Sequence, residues 1–135
     1  MAMAARGQGK AYQGAKWLSR ERRLALYTRD GLACVYCGAA VEDGAQLSLD
    51  HVIPHCQGGD NKSTNLLTSC KRCNSSRGAR SVEDFCVAVA AYLNHGIQAS
   101  DILAHIQDCL SRPVDIKAAK ALIAKRGGFT QALNQ

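Results

Sequence analysis

"LSLDHVIPHCQGGDNKSTNL", residues 47–66, is the stretch on which the fold of this chain turns. Leu47 and Leu49 flank Ser48 in the two-residue rhythm of a half-buried strand, and Asp50 and His51 fall at its end. Pro54 cannot donate to a ladder and should stop the strand. From Gln57 to Thr64 every residue is polar or Gly, which predicts a loop. His51 and His55 have the i, i+4 spacing of a helical metal pair, but Pro54 inside that interval argues against the helix. Alone, the stretch is a strand running into a polar loop.

Its flanks change that. Cys34-Val-Tyr-Cys37 precedes it and Cys70-Lys-Arg-Cys73 follows it, two C-x-x-C knuckles with 32 residues between Cys37 and Cys70. Each knuckle can curl both thiolates toward one point, and four thiolates together make a tetrahedral zinc site. A redox C-x-x-C would be single and set in a βαβ context, which is missing here. The expectation is a structural Zn²⁺ held by Cys34, Cys37, Cys70 and Cys73, closing the base of a loop that carries Asp50 and His51. Cys86 and Cys109 fall on apolar helical stripes and read as packing residues, and Cys56 reads as incidental.

Outward from this centre the chain is helical. Residues 1–15 are Ala, Gly and Gln with scattered bases and read as a flexible basic tail. Helical spacing predicts a helix over 17–29, with Trp17, Leu24 and Tyr27 on one face and Lys16, Arg20 and Arg23 near another. Ser81 and Asp84 form a capping pair that opens a helix with Val82, Phe85, Cys86, Val89 and Leu93 on its apolar stripe, and Gly96 stops it. Further helices are expected over 100–111, carrying Ile102, Ile106 and Leu110, and over 113–126, ended by Gly127-Gly128. The division this implies is a tail (1–15), a knuckle domain (16–80) and a helical extension (81–135).

Charge is unevenly placed. Residues 1–30 hold seven Lys or Arg against two acids, whereas residues 81–135 hold five of each sign, within an overall formal charge of +6. The basic end suits a polyanion, and the balanced helices suit packing, a homodimer or a protein partner. No apolar run approaches the roughly 20 residues of a membrane span. The opening "MAMAARGQGK" lacks a secretory apolar core, so no membrane and a cytoplasmic location are expected.

Taken together, "RDGLACVYCG", "LDHVIPHCQGGDNKSTNL" and "LLTSCKRCNSSRG" resemble the HNH endonuclease family of phage and bacteria, in its zinc-containing form. The resemblance runs from about Leu24 to Gly78 and implies an α+β fold. That fold is a small ββα-metal (His-Me) finger with a four-cysteine zinc site, flanked by an N-terminal helix and C-terminal helices. It implies that Asp50 is a carboxylate ligand of a catalytic divalent metal, that His51 is the general base, and that Asn65 orients His51. Asn74 stands where the family's final His is the second metal ligand, which makes this chain an H-N-N variant. Oxygen ligands from Asp and Asn favour Mg²⁺ or Mn²⁺.

The implied activity is hydrolysis of DNA phosphodiesters, by nicking or double-strand cleavage, to 5′-phosphate and 3′-hydroxyl ends. An imidazole that exchanges protons near neutrality suits activation of water. Arg20, Arg23 and Arg29 ahead of the finger, and His55, Lys71, Arg72 and Arg77 around the site, are the expected DNA contacts. The alternative is a zinc-dependent nucleic-acid-binding module without catalysis. The joint presence of Asp50, His51 and Asn65 favours the enzyme, since a binding module has no need of that set.

Overall fold

The computed structural model describes residues 18–93 and 96–134. The tail expected over residues 1–15, together with Lys16 and Trp17, lies outside the described residues. Among the described residues two compact units are present: one within residues 26–114, and one formed by residues 18–25 with 115–134. Helix α1 (Arg20–Arg29) runs from one into the other. It opens three residues later than expected, where the Ser19 hydroxyl accepts the Arg22 amide at 3.1 Å and caps the first turn.

Residues 26–114 contain the two knuckles and the stretch between them. Strand β1 (Leu47–His51) pairs antiparallel with β2 (Leu66–Cys70), in a register that sets Asp50 against Leu67 and His51 against Leu66. The burial of β1 inverts the simple alternation. Leu47 and Leu49 are only half-buried, and Asp50 is the one buried residue of the strand. β2 is buried along its whole length, which leaves "LLTSC" without an alternating pattern.

The outer edge of β2 is closed by two polar contacts. The Val35 amide donates to the Thr68 carbonyl at 3.0 Å, and the Thr68 amide donates to Asp30 Oδ2 at 2.9 Å. A buried edge with orphaned amides would cost about 1–3 kcal/mol for each, so Asp30 and the first knuckle are what allow β2 to lie inside. Asp30 is itself paired with Arg29, whose guanidinium also reaches the carbonyls of Ser63 at 2.8 Å and Leu66 at 2.7 Å.

From Cys70 the chain turns directly into α2 (Lys71–Arg77), with the Cys70 sulfur accepting the Cys73 amide at the helix N-terminus. Helices α3 (Val82–Leu93) and α4 (Ala99–Ser111) follow. The Ser81 cap forms as expected, its hydroxyl accepting the Asp84 amide at 3.0 Å. α3 buries Val82, Phe85, Cys86 and Val89, and α4 buries Ile102, Ile106 and Cys109. These stripes share one core with Cys34, Val35, Tyr36, Leu67, Cys70 and Cys73. Cys86 and Cys109 are therefore packing residues, and burial raises both thiols to about 11.

In the other unit, α5 (Ile116–Arg126) starts at an Asp115 cap and ends at Gly127, whose φ of 91° is a left-handed helix stop. A short α6 (Phe129–Leu133), not foreseen from the sequence, follows, and the Arg23 guanidinium lies 4.7 Å from the Phe129 ring centroid. No helix of the described residues is long and apolar enough to cross a membrane.

Candidate active site

The two knuckles meet. The sulfurs of Cys34, Cys37, Cys70 and Cys73 all lie within 4.8 Å of one another, with Cys37 and Cys70 3.8 Å apart. A tetrahedron with metal–sulfur distances of about 2.3 Å has edges of about 3.8 Å, so the four thiols could hold a metal ion. A hydrogen bond from Cys73 outweighs burial and brings Cys34 down to about 5. Cys73, which donates that bond, and Cys37, which is desolvated, are both raised. A divalent cation would offset the repulsion among four thiolates. Cys56 is exposed and outside this cluster.

One residue inside the first knuckle reaches the strand end. Tyr36 is 2% exposed and donates its hydroxyl to Asp50 Oδ2 at 2.7 Å. Burial first, then the Asp50 charge, raises the Tyr36 phenol and keeps it a donor. Arg77 Nη1 donates to the same carboxylate oxygen at 2.8 Å, and the two side chains form a buried ion pair. Burial opposes the Arg77 charge, and the Asp50 carboxylate more than compensates, so the guanidinium is raised. Arg77 also holds the carbonyls of His51 at 2.6 Å, Val52 at 2.9 Å and Arg80 at 2.8 Å. The last turn of α2 thus grips the end of β1 through one guanidinium.

Asn74 lies one turn earlier on α2. Its amide Nδ2 donates to Ser48 Oγ at 3.0 Å and to the Leu49 carbonyl at 3.2 Å. Ser48 and Asp50 are two residues apart on β1 and share a face. Among the described residues, neither Asp50 Oδ1 nor Asn74 Oδ1 receives a hydrogen bond. The arrangement leaves an oxygen on each for a hard cation.

His51 is half-buried, and its Nε2 lies 2.8 Å from Asn61 Oδ1. Asn65 is engaged elsewhere. Its Oδ1 accepts the Ile53 amide at 2.8 Å, and its Nδ2 donates to the carbonyls of Ile53 at 3.1 Å and Asp60 at 2.8 Å. Asn65 therefore pins the two sides of the loop together, while Asn61 meets the imidazole.

The cations expected on DNA divide. Arg20, His55, Lys71 and Arg72 are exposed. Arg23 is half-buried against Phe129. Arg29 and Arg77 are buried at 7% and 3% exposure and turned onto internal carbonyls and carboxylates, so they hold the fold and do not present a surface to phosphate. Sequence shows that a guanidinium is present but not where it points. Tyr36, Asn61 and Asp30 were not singled out from sequence. Tyr36 could have been suspected from its place inside a knuckle, and Asn61 from its place four residues before Asn65; Asp30 carries no local signal.

Residues 34–87 match the family model for the HNH endonuclease. A CRISPR-associated endonuclease Cas9 from Corynebacterium diphtheriae is 33% identical over 72 residues, 53% of this chain and 6% of that protein. A second Cas9, from Actinomyces naeslundii, is 38% identical over 56 residues, 41% of this chain and 5% of that protein. The chain thus spans only a small fraction of the length of these relatives. The crystal structure of the Type II-C Cas9 enzyme from Actinomyces naeslundii overlaps 75% of this chain and 12% of its own, at a TM-score of 0.43 and 24% identity. The two antiparallel strands, the helix they lead into and the four-cysteine cluster thus all lie within the segment, residues 34–87, that matches the HNH endonuclease family model.

Proposed function

We propose that this chain is a metal-dependent DNA endonuclease, with His51 as the general base and Asp50 and Asn74 as ligands of a catalytic Mg²⁺ or Mn²⁺. The observation that carries this is the pairing of one strand end with one helix. Asp50 and His51 leave β1 together, while Asn74 and Arg77 on α2 hold that strand end from one side. Adjacent residues on a strand point to opposite faces. Asp50 is thereby directed to the α2 side, and His51 to the loop side where water can reach it.

A hard divalent ion, when bound, supplies charge neutralisation at the phosphate and at the departing 3′ oxygen. The chain's own residues do the rest. His51 takes a proton from the attacking water. Arg77 and Tyr36 fix the Asp50 carboxylate, and Asn74 is held by Ser48. The four cysteines take a structural Zn²⁺, and through Tyr36 the zinc knuckle acts on Asp50. Exposed Lys71, Arg72 and His55, in the same compact unit, are the proposed phosphate contacts.

A second reading, a zinc module that binds nucleic acid without cutting it, is favoured by one observation. Asp50 is 8% exposed, and its Oδ2 is already taken by Tyr36 and Arg77. Cleavage of supercoiled plasmid separates the two. The proposal expects nicked or linear product with Mg²⁺ or Mn²⁺, none with EDTA, and none from His51→Ala. Plasmid that is bound yet left intact with every metal would establish the binding module.

A further inference from the structure

We infer that Ser48 is the positioning residue for Asn74, turning the Asn74 amide so that Oδ1 is the end offered to the proposed cation. The inference deepens the nuclease proposal and rests on it for the role of Asn74 as a metal ligand. Asn74 Nδ2 donates to Ser48 Oγ at 3.0 Å and to the Leu49 carbonyl at 3.2 Å. A carbonyl oxygen can only accept, so Leu49 decides which end of the amide faces β1. The reversed amide would set two acceptor oxygens against each other there. Both Nδ2 protons are thus used on β1, and Oδ1 is the end left over.

The Ser48 hydroxyl is itself oriented. It donates to the Ser69 carbonyl at 3.3 Å, and the Ser69 hydroxyl lies 3.4 Å away. Its single proton is directed at β2, which leaves a lone pair for Asn74. The ladder sets this up, because Ser48 pairs with Ser69 and Ser69 is fully buried. A serine pair across two strands by itself only joins the strands. The added bond to α2 ties Asn74 to the strand that carries Asp50, on the face that Ser48 and Asp50 share. The last torsion of an Asn side chain has only a broad preference of its own. The two hydrogen bonds on Nδ2 therefore set the plane of the amide, and Ser48 supplies one of them.

The test measures Mn²⁺ binding to the full chain by calorimetry, with zinc already filling the cysteine cluster. Ser48→Ala should weaken Mn²⁺ about 10-fold, the lower end of the roughly 10–100-fold that groups behind a metal ligand contribute, since the Leu49 bond survives. Ser48→Thr keeps the hydroxyl and should bind as wild type does. Ser48→Val has the shape of that variant without the hydroxyl, suits a strand equally, and should show the loss even if Ser48→Ala fails to fold. In an Asn74→Ala background the loss of the Ser48 hydroxyl should cost nothing further, because the two residues act as one unit. Without Mn²⁺, the Asn74 side-chain amide protons should exchange with water faster in Ser48→Val than in Ser48→Thr. Wild-type affinity in Ser48→Val, an equal loss in the Asn74→Ala background, or unchanged amide exchange would overturn the inference. If wild type takes up no Mn²⁺ beyond its zinc, the metal site of the nuclease proposal fails, while amide exchange still decides whether Ser48 holds Asn74.

Discussion

Asp50 is a buried carboxylate with two donors on one oxygen, Tyr36 from the metal knuckle and Arg77 from α2. Each donor comes from an element that the cysteines tie down, so the position of Asp50 depends on both ends of the cluster. Removing one member of a buried pair leaves an uncompensated charge, at a cost of about 3–5 kcal/mol. Arg77→Met should therefore destabilise the chain by about that amount, and further because the carbonyls of His51, Val52 and Arg80 lose their donor. Tyr36→Phe removes only one charge-assisted hydrogen bond and should cost about 1.5–3 kcal/mol. Urea midpoints of the two variants against wild type check the order. A smaller effect at Arg77 than at Tyr36 would contradict the grip assigned to the guanidinium.

At the scale of elements, the loop between β1 and β2 packs tightly against the end of β1 and brings Asn61 to the His51 imidazole. Gly58 has a φ of 89°, and Gly59 meets the Ile53 carbonyl with no room for a methyl group. Gly59→Ala must push the loop off Ile53, which should cost about 1–3 kcal/mol as overpacking does. It should also lower cleavage by displacing the loop from the end of β1, as melting curves and plasmid assays on one preparation would register. Cleavage at the wild-type rate would show that the loop's close approach has no part in the site.

Legibility also differs by element. α3 could be read because its stripe repeats at helical spacing and its Ser81 cap is local, and both appear in the structure. β1 could be read as a strand, but not that Asp50 would be its buried residue, since that depends on Tyr36 and Arg77, which are distant in sequence. β2 has no alternation to read, because each of its five residues is buried. The site followed the same rule. Asp50, His51, Asn65, Asn74 and the four cysteines were marked by motif, whereas the Asn61 contact with His51 exists only once the loop is folded.

At the scale of the molecule, the four cysteines tie together the unit of residues 26–114. They join the turn before β1 to the helix after β2, and their sulfurs lie in the core shared with α3 and α4. Binding of a structural zinc is worth about 10–16 kcal/mol, comparable with the whole net stability of a domain of roughly 5–15 kcal/mol. Cys70→Ser should therefore lose the metal and unfold the unit of residues 26–114. Native mass spectrometry should find one zinc per wild-type chain and none in the variant, with loss of the near-ultraviolet circular dichroism of Tyr36. A folded, zinc-free variant would show that the core stands without its clamp.

On the proposed function, this framework presents His51 to a phosphodiester. Its most direct test is the single-turnover rate of plasmid cleavage at saturating protein, wild type against His51→Ala, with zinc content and DNA affinity matched. Loss of the base should slow cleavage by at least about 100-fold while binding is unchanged. Equal rates in the two proteins would contradict the account.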